Sequence, residues 1–202
     1  DVFIVGSWNV MIKIAKKIKA DFRSFTCENP AFSLSGGIAI VPSKFPIMKG
    51  AEESETEEKQ AKDHTCKNDT KNSLSFMDMP LNWDEEFDVV EKLKNDLYDW
   101  LIKEQLPKSF LSKLMMHYEN AKITNHKIKE VKTYWMLTYD LSRMKGRSNT
   151  EAINNMIDNC IKEVCDKNKN TLNGKSIQTD YHPLELWTFA ARWAELEYRT
   201  NK

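Results

Sequence analysis

A carboxylate stands at the mouth of an apolar run. Asp1 precedes Val2-Phe3-Ile4-Val5, which Gly6 closes. At the start of a buried strand such a group can hold a divalent cation against a nucleotide phosphate, because hard cations take oxygen ligands from both. By residue type alone, a solvated Asp is the commoner case. A second candidate is Ser35-Gly36-Gly37, which interrupts a run otherwise suited to a strand. Glycine weakens a strand and marks a bend or a close approach. A nucleotide base or ribose packed on that face would account for it, and so would helix–sheet packing or a bulge.

These residues need a frame. Asn9 opens a helical pattern with Met11, Ile14, Ala15, Ile18, Phe22 and Phe25 on one face, and residues 32–41 follow as an alternating strand. Strand, helix and strand in that order fit half of a ferredoxin-like palm, whose full order is βαββαβ. In that fold the two strands are not neighbours, since a first strand lies between them. The chain is therefore expected to be catalytically silent without that preceding sequence.

The pattern changes at Met79-Pro80-Leu81-Asn82, where Pro is expected to end a strand and Asn82 to cap a helix. Residues 81–202 then read as wholly helical. Phe87, Val90, Leu93, Leu97, Trp100 and Leu101 form one stripe, and Phe110, Leu111, Leu114, Met115 and Tyr118 recur after Pro107. A helix over residues 127–144 is expected to turn Ile128, Val131, Trp135 and Leu141 inward and to stop at Gly146. Ser148-Asn149-Thr150-Glu151 is a capping-box pattern before Ile153, Met156, Ile157, Cys160, Ile161 and Val164. A polar connection over residues 166–180 leads to Pro183, which suits the first turn of a last helix carrying Leu184, Trp187, Ala190, Ala194 and Tyr198. The expected architecture is α+β, with residues 1–80 the C-terminal half of a palm and residues 81–202 a bundle of about five helices.

Composition narrows the function classes. The 202 residues carry no formal net charge, so nucleic acid could be met only by local patches. Such patches are Lys122, Lys127, Lys129 and Lys132, then Arg143, Lys145 and Arg147. Ordinary helix surface is the plainer reading of both, as core packing is for the six Trp. No apolar run approaches the ~20 residues of a membrane span. No basic leader or initiator Met is present, which suggests part of a longer protein. Cys27, Cys66, Cys160 and Cys165 lack CxxC spacing and read as free buried thiols of a cytoplasmic protein. His64 and Cys66 flank one residue; a metal pair there would need further ligands, and a polar loop is the plainer reading. His117, His126 and His182 suggest no role. The acidic residues 52–58 read as a solvated helix before a mobile loop over residues 63–71.

Four segments carry a resemblance: DVFIVGSWN, LSGGIAIVPSKFPI, the Ala-Glu-rich helix ending in Ala61-Lys62, and KNSLSFM. Together they resemble the large subunit of type III CRISPR effector complexes, the tenth Cas protein, of the Csm-type branch. In that family a Gly-Gly-Asp-Asp turn runs into the sequence that starts here, so Asp1 would be its second Asp. The resemblance implies antiviral defence in which ATP is joined into cyclic oligoadenylates once guide RNA pairs with target RNA. Paired Asp residues would hold two Mg²⁺ or Mn²⁺ ions while a ribose hydroxyl of one ATP attacks the α-phosphate of another. It also implies that Asp1 is the catalytic metal ligand, that Ser35 and Gly36 line the nucleotide pocket, and that Lys62 and Lys71 meet the triphosphate. The two lysines correspond to the Ala-Lys helix end and basic-Asn strand start of GGDEF-type cyclases, here separated by an insertion over residues 63–70. The implied partners are guide and target RNA, small helical subunits and the N-terminal part of the same protein. The family's HD nuclease lies outside this sequence, which holds no His-Asp dipeptide. The competing reading is a non-catalytic scaffold with a degenerate palm. A GTP-using diguanylate cyclase is a third, disfavoured by the long helical region.

Overall fold

Helix α1 (Trp8–Phe25) starts after Ser7 and stops at Thr26, whose hydroxyl and N–H both turn back to the last carbonyls. The computed structural model describes residues 2–66, 69–103, 105–121, 123–145, 150–166 and 171–200. They fall into two units, one ending at Phe87 and the next beginning at Asp88. The boundary expected at 80/81 thus lies inside a strand of the first unit.

In the first unit, strand β1 (Gly36–Ile38) leads through helix α2 (Ile47–Asp63) and the small hairpin β2 (Thr65–Cys66)–β3 (Asp69–Thr70) to β4 (Ser73–Phe76) and β5 (Met79–Asn82). The sheet order is β1-β4-β5, with β1 parallel and β5 antiparallel to β4. Parallel pairing forces the long crossover that α2 supplies. The β4–β5 turn is made by Met77 and Asp78, both at positive φ (54° and 62°), as a tight two-residue hairpin requires. Pro80 lies within β5 opposite Ser75 and does not end the strand. It stands on the sheet edge, where its missing N–H leaves no ladder bond unmade. A π-helical turn, Trp83–Phe87, follows. Asn82 Oδ1 accepts from the N–H groups of Asp84 and Glu85, while Glu86 reaches back to the N–H of Asn82.

Three expectations change here. Residues 2–5 form no strand and are exposed, and β1 is three residues long instead of ten. A strand exists by its ladder, and β4 is the one partner β1 has among the described residues. The apolar face expected of α1 is also open: Ile12 is its one buried side chain, while Ile18 and Phe25 are exposed. The acidic residues 52–58 do form a helix, but Glu57 and Ala61 are buried against the sheet, and Thr65–Cys66 pairs with Asp69–Thr70. The buried residues of this helix are Glu57 and Ala61, with Ser54 half-buried beside them, a face that an apolar pattern does not register.

The second unit holds five helices among the described residues: α3 (Asp88–Ile102), α4 (Lys108–Asn120), α5 (Val131–Lys145), α6 (Glu151–Cys165) and α7 (Pro183–Thr200). It is not wholly helical. Hairpins β6 (Ile123–Thr124)–β7 (Lys127–Ile128) and β8 (Thr171–Leu172)–β9 (Lys175–Ser176) occupy stretches expected as helix or coil. Helix α7 is the core element, buried from Pro183 through Ala191 and packed against α3, α4 and α6. His182 caps it: the N–H of Leu184 donates to His182 Nδ1, and the N–H of His182 donates to Glu185, a reciprocal cap. Glu185 also holds His126 at 3.0 Å. These two histidines, given no role from sequence, act as structural ties. Glu163, buried on α6, accepts from the N–H groups of Asn173 (2.9 Å) and Gly174 (2.8 Å) and from Trp187 Nε1 (2.9 Å).

Helix α5 corrects the sequence reading most. It buries Thr133, Leu137, Leu141 and Met144, whereas Val131 and Trp135, expected inside, face outward. Its sequence has apolar residues on two faces, so periodicity alone could choose either. Gly146, Ser148 and Asn149 lie outside the described residues. Cys66 and Cys160 are buried free thiols, but Cys27 and Cys165 are exposed. No helix among the described residues is long and apolar enough to cross a membrane.

Candidate functional site

The residues singled out from sequence gather at one end of the first unit's sheet, with one gap. Asp1 lies outside the described residues. Gly36 pairs with Leu74, which places Ser35 beside Ser73 at the amino ends of the two parallel strands. A Cβ on Gly37 would stand 2.2 Å from the N of Glu58 and 2.5 Å from the O of Ser54, so this glycine lets β1 press directly on the backbone of α2. Helix–sheet packing therefore accounts for Gly37. A Cβ on Gly36 would meet the tip of Leu74 at 3.3 Å, on the opposite face. By the two-residue period of a strand, Ser35 lies on the α2 side, and Gly36 does not accompany it.

Ser35 Oγ and Ser73 Oγ are both buried and find no hydrogen-bond partner among the described residues, and neither does Asn82 Nδ2. Since Ser73 pairs with Asn82, the three side chains form a row across the sheet. Buried polar atoms are nearly always paired, so an unpaired row marks a place for a further polar group or water. Lys62 sits in the last turn of α2, half-exposed and paired to Glu58 at 2.8 Å. Lys71 is exposed just before β4, at φ 62°. Strands β2 and β3 pair between the two lysines, so the chain leaves α2 and enters β4 at the same end of the sheet.

Two polar groups here escaped sequence reasoning. Asp84 Oδ1 accepts from Lys19 (2.6 Å) and lies 3.4 Å from Arg23, while its Oδ2 accepts from Asn72 Nδ2 (2.8 Å). Burial alone would raise the Asp84 carboxyl, but the bonds from Lys19 and Asn72 and the charges of Lys19 and Arg23 prevail and lower it. Lys19 also lies over the Trp83 ring, and Trp83 Nε1 donates to the carbonyl of Leu34 (3.1 Å), fixing the backbone just before Ser35. The second group is Glu57. Ser75 Oγ and the N–H of Asp78 both donate to it. Burial nonetheless holds its carboxyl above the usual range against those bonds. No sequence signal distinguished Glu57 from its acidic neighbours.

His64 does not join Cys66 as a metal pair; it meets the buried Glu86 at 2.8 Å. Among the described residues no group of three or more His, Cys, Asp or Glu could hold a metal ion. By themselves they do not fit the divalent-cation site that the resemblance implies.

Residues 1–73 match the family model described as Cas10/Cmr2, second palm domain. That match agrees with the resemblance to the type III CRISPR large subunit. The chain is 35% identical over 108 residues to the "CRISPR system single-strand-specific deoxyribonuclease Cas10/Csm1 (subtype III-A)" of Methanocaldococcus jannaschii, covering 50% of this chain and 14% of the relative. It is 28% identical over 156 residues to the protein of the same description from Mycobacterium tuberculosis, covering 75% of this chain and 18% of the relative. The chain thus spans less than a fifth of the length of either. No solved structure matches it.

Proposed function

We propose that this chain is part of a cytoplasmic type III CRISPR large subunit that makes cyclic oligoadenylates from ATP when guide RNA pairs with target RNA, in antiviral defence. The observation that carries this reading is the convergence of Ser35, Lys62 and Lys71, all within the residues 1–73 that match a second palm domain, on one end of the first unit's sheet. In this reading Ser35 lines the nucleotide pocket, with its unpaired hydroxyl available to the base, while Gly36, whose α-carbon faces the other side of the strand, contributes backbone alone. The ammonium groups of Lys62 and Lys71 oppose triphosphate charge. Asp1 is proposed as a ligand to Mg²⁺ or Mn²⁺, which when bound neutralises phosphate charge. The exposed apolar residues 2–5 and the open edge of β1 are read as flanking a further strand of a ferredoxin-like palm. The proposed partners are guide and target RNA, small helical subunits and the remainder of the large subunit. The deoxyribonuclease activity in the relatives' names is not proposed for these residues.

The test is turnover of labelled ATP by the full-length subunit in its assembled complex, with Mn²⁺ and cognate target RNA, beside Asp1→Ala. Target-dependent oligoadenylate that disappears in Asp1→Ala is expected. No product from the intact complex would favour the scaffold reading, and undiminished product from Asp1→Ala would remove Asp1 from the site.

A further inference from the structure

The outward face of α5 is built unlike an ordinary helix surface. Trp135 is 74% exposed, Tyr139 61% and Val131 68%, with Met136 beside them at 46%. Trp135 and Tyr139 follow at i and i+4, about 6 Å apart along the axis. The Arg143 guanidinium lies 5.6 Å from the centre of the Tyr139 ring and donates to its hydroxyl at 3.4 Å, extending the flat surface by another turn. Charge on this face has one sign. Lys132 and Arg143 are exposed on it, and Lys127 and Lys129, with Glu130 after them, lead into the helix. None of the three lysines makes an ion pair with a described residue. The helix's one carboxylate, Asp140, is turned away and held by Lys113 (2.6 Å) and His117 (3.0 Å).

Large aromatic surfaces left in water are unusual, and contiguous ones mark binding sites. Protein interfaces are also rich in Trp, Tyr, Met and Arg, so the aromatic rings alone do not choose the occupant; the sign of the charge beside them does. Here two rings lie in line on a face whose own charges, Lys132 and Arg143, are both cationic, the combination that holds a single-stranded polynucleotide: bases stack on aromatic rings while cations track the phosphates. The ~6 Å step exceeds the roughly 3.4 Å rise of stacked bases in a duplex, so an extended single strand fits and a duplex does not.

We infer that the face of α5 formed by Lys132, Trp135, Tyr139 and Arg143 binds single-stranded RNA, with bases on Trp135 and Tyr139 and phosphates at the cations. The choice of RNA rests on the function proposed above; the stacking strip does not.

Fluorescence anisotropy of a labelled oligouridylate with the full-length subunit tests this. Saturable binding is expected, weakened about tenfold by Trp135→Ala and again by Tyr139→Ala. Lys132→Ala and Arg143→Ala should each reduce the slope of log K against log salt by about 0.7. Because these side chains are exposed, the variants should keep the wild-type circular dichroism. Absence of RNA binding overturns the proposal, as does binding indifferent to Trp135→Ala and Tyr139→Ala, or tighter binding of the matching DNA. Self-association abolished by Trp135→Ala, without RNA binding, would assign the face to protein instead. ATP turnover failing while this binding persists would sink the proposed function and leave the strip; the reverse would sink the strip alone.

Discussion

Gly37→Ala is the most direct test of how the first unit is assembled. The added Cβ would lie 2.2 Å from the N of Glu58, 2.5 Å from the O of Ser54 and 2.7 Å from the C of Glu57, all backbone atoms of α2. None can rotate aside, so α2 must retreat by roughly 1 Å to restore ordinary contact. Overpacking of this kind costs about 1–3 kcal/mol, and a backbone obstruction sits at the upper end. Retreat also draws Glu57 from Ser75 and Asp78, losing about 1 kcal/mol for each bond weakened. A loss near 3 kcal/mol should lower the urea midpoint of this unit by about 2 M. Hydrogen exchange of the β4 amides reports the unit by itself. Gly36→Ala is the control, because its Cβ meets the movable tip of Leu74 at 3.3 Å, and its effect should stay within about 1 kcal/mol. A Gly37→Ala midpoint within about 0.3 M of wild type, or an equal fall in both variants, would refute the close packing of β1 on α2.

Because burial raises the Glu57 carboxyl, the folded state binds its proton more tightly than the unfolded chain does. Stability should therefore fall as pH rises from the ordinary glutamate range through the raised one, and Glu57→Gln should flatten that segment of a pH–stability curve. Asp84 has the opposite sign. Its lowered carboxyl contributes stability above the ordinary aspartate range that is lost as pH falls through the depressed one. As Asp84 is nearly half exposed, Asp84→Asn should cost no more than about 0.5–1 kcal/mol in urea unfolding at neutral pH. Glu163→Ala leaves three N–H groups without their acceptor and should destabilise the second unit by about 3 kcal/mol or more, read from its thermal midpoint.

Helices α3, α4, α6 and α7 were legible because each has one apolar stripe and a Pro, Asn or Thr near its start. Helix α5 was legible as a helix but not in its orientation. Val131, Trp135 and Tyr139 compete with Leu137, Leu141 and Met144 for the core, and only packing decides between them. The strand at residues 2–5 was read from composition, but composition cannot supply a partner for its N–H and C=O groups. Ser35, Gly36, Lys62 and Lys71 were reached partly through resemblance. Their convergence depends on the crossover through α2, which spacing along the chain does not reveal. Glu57 and Asp84 were invisible because a buried carboxylate and a solvated one are the same letter.

The carboxylate of Glu163 also has a kinetic consequence. The Asn173–Gly174 turn is a loop tip by position, and such tips usually exchange their amide hydrogens within the shallowest openings of a protein. Here both amides are fastened to a buried side chain on α6 that also grips Trp187 at the centre of α7. Releasing them requires Glu163 to move, and Glu163 is seated in the α6–α7 packing. Their exchange should report the deep, cooperative opening of those two helices, making the hairpin tip a surface reporter of core integrity.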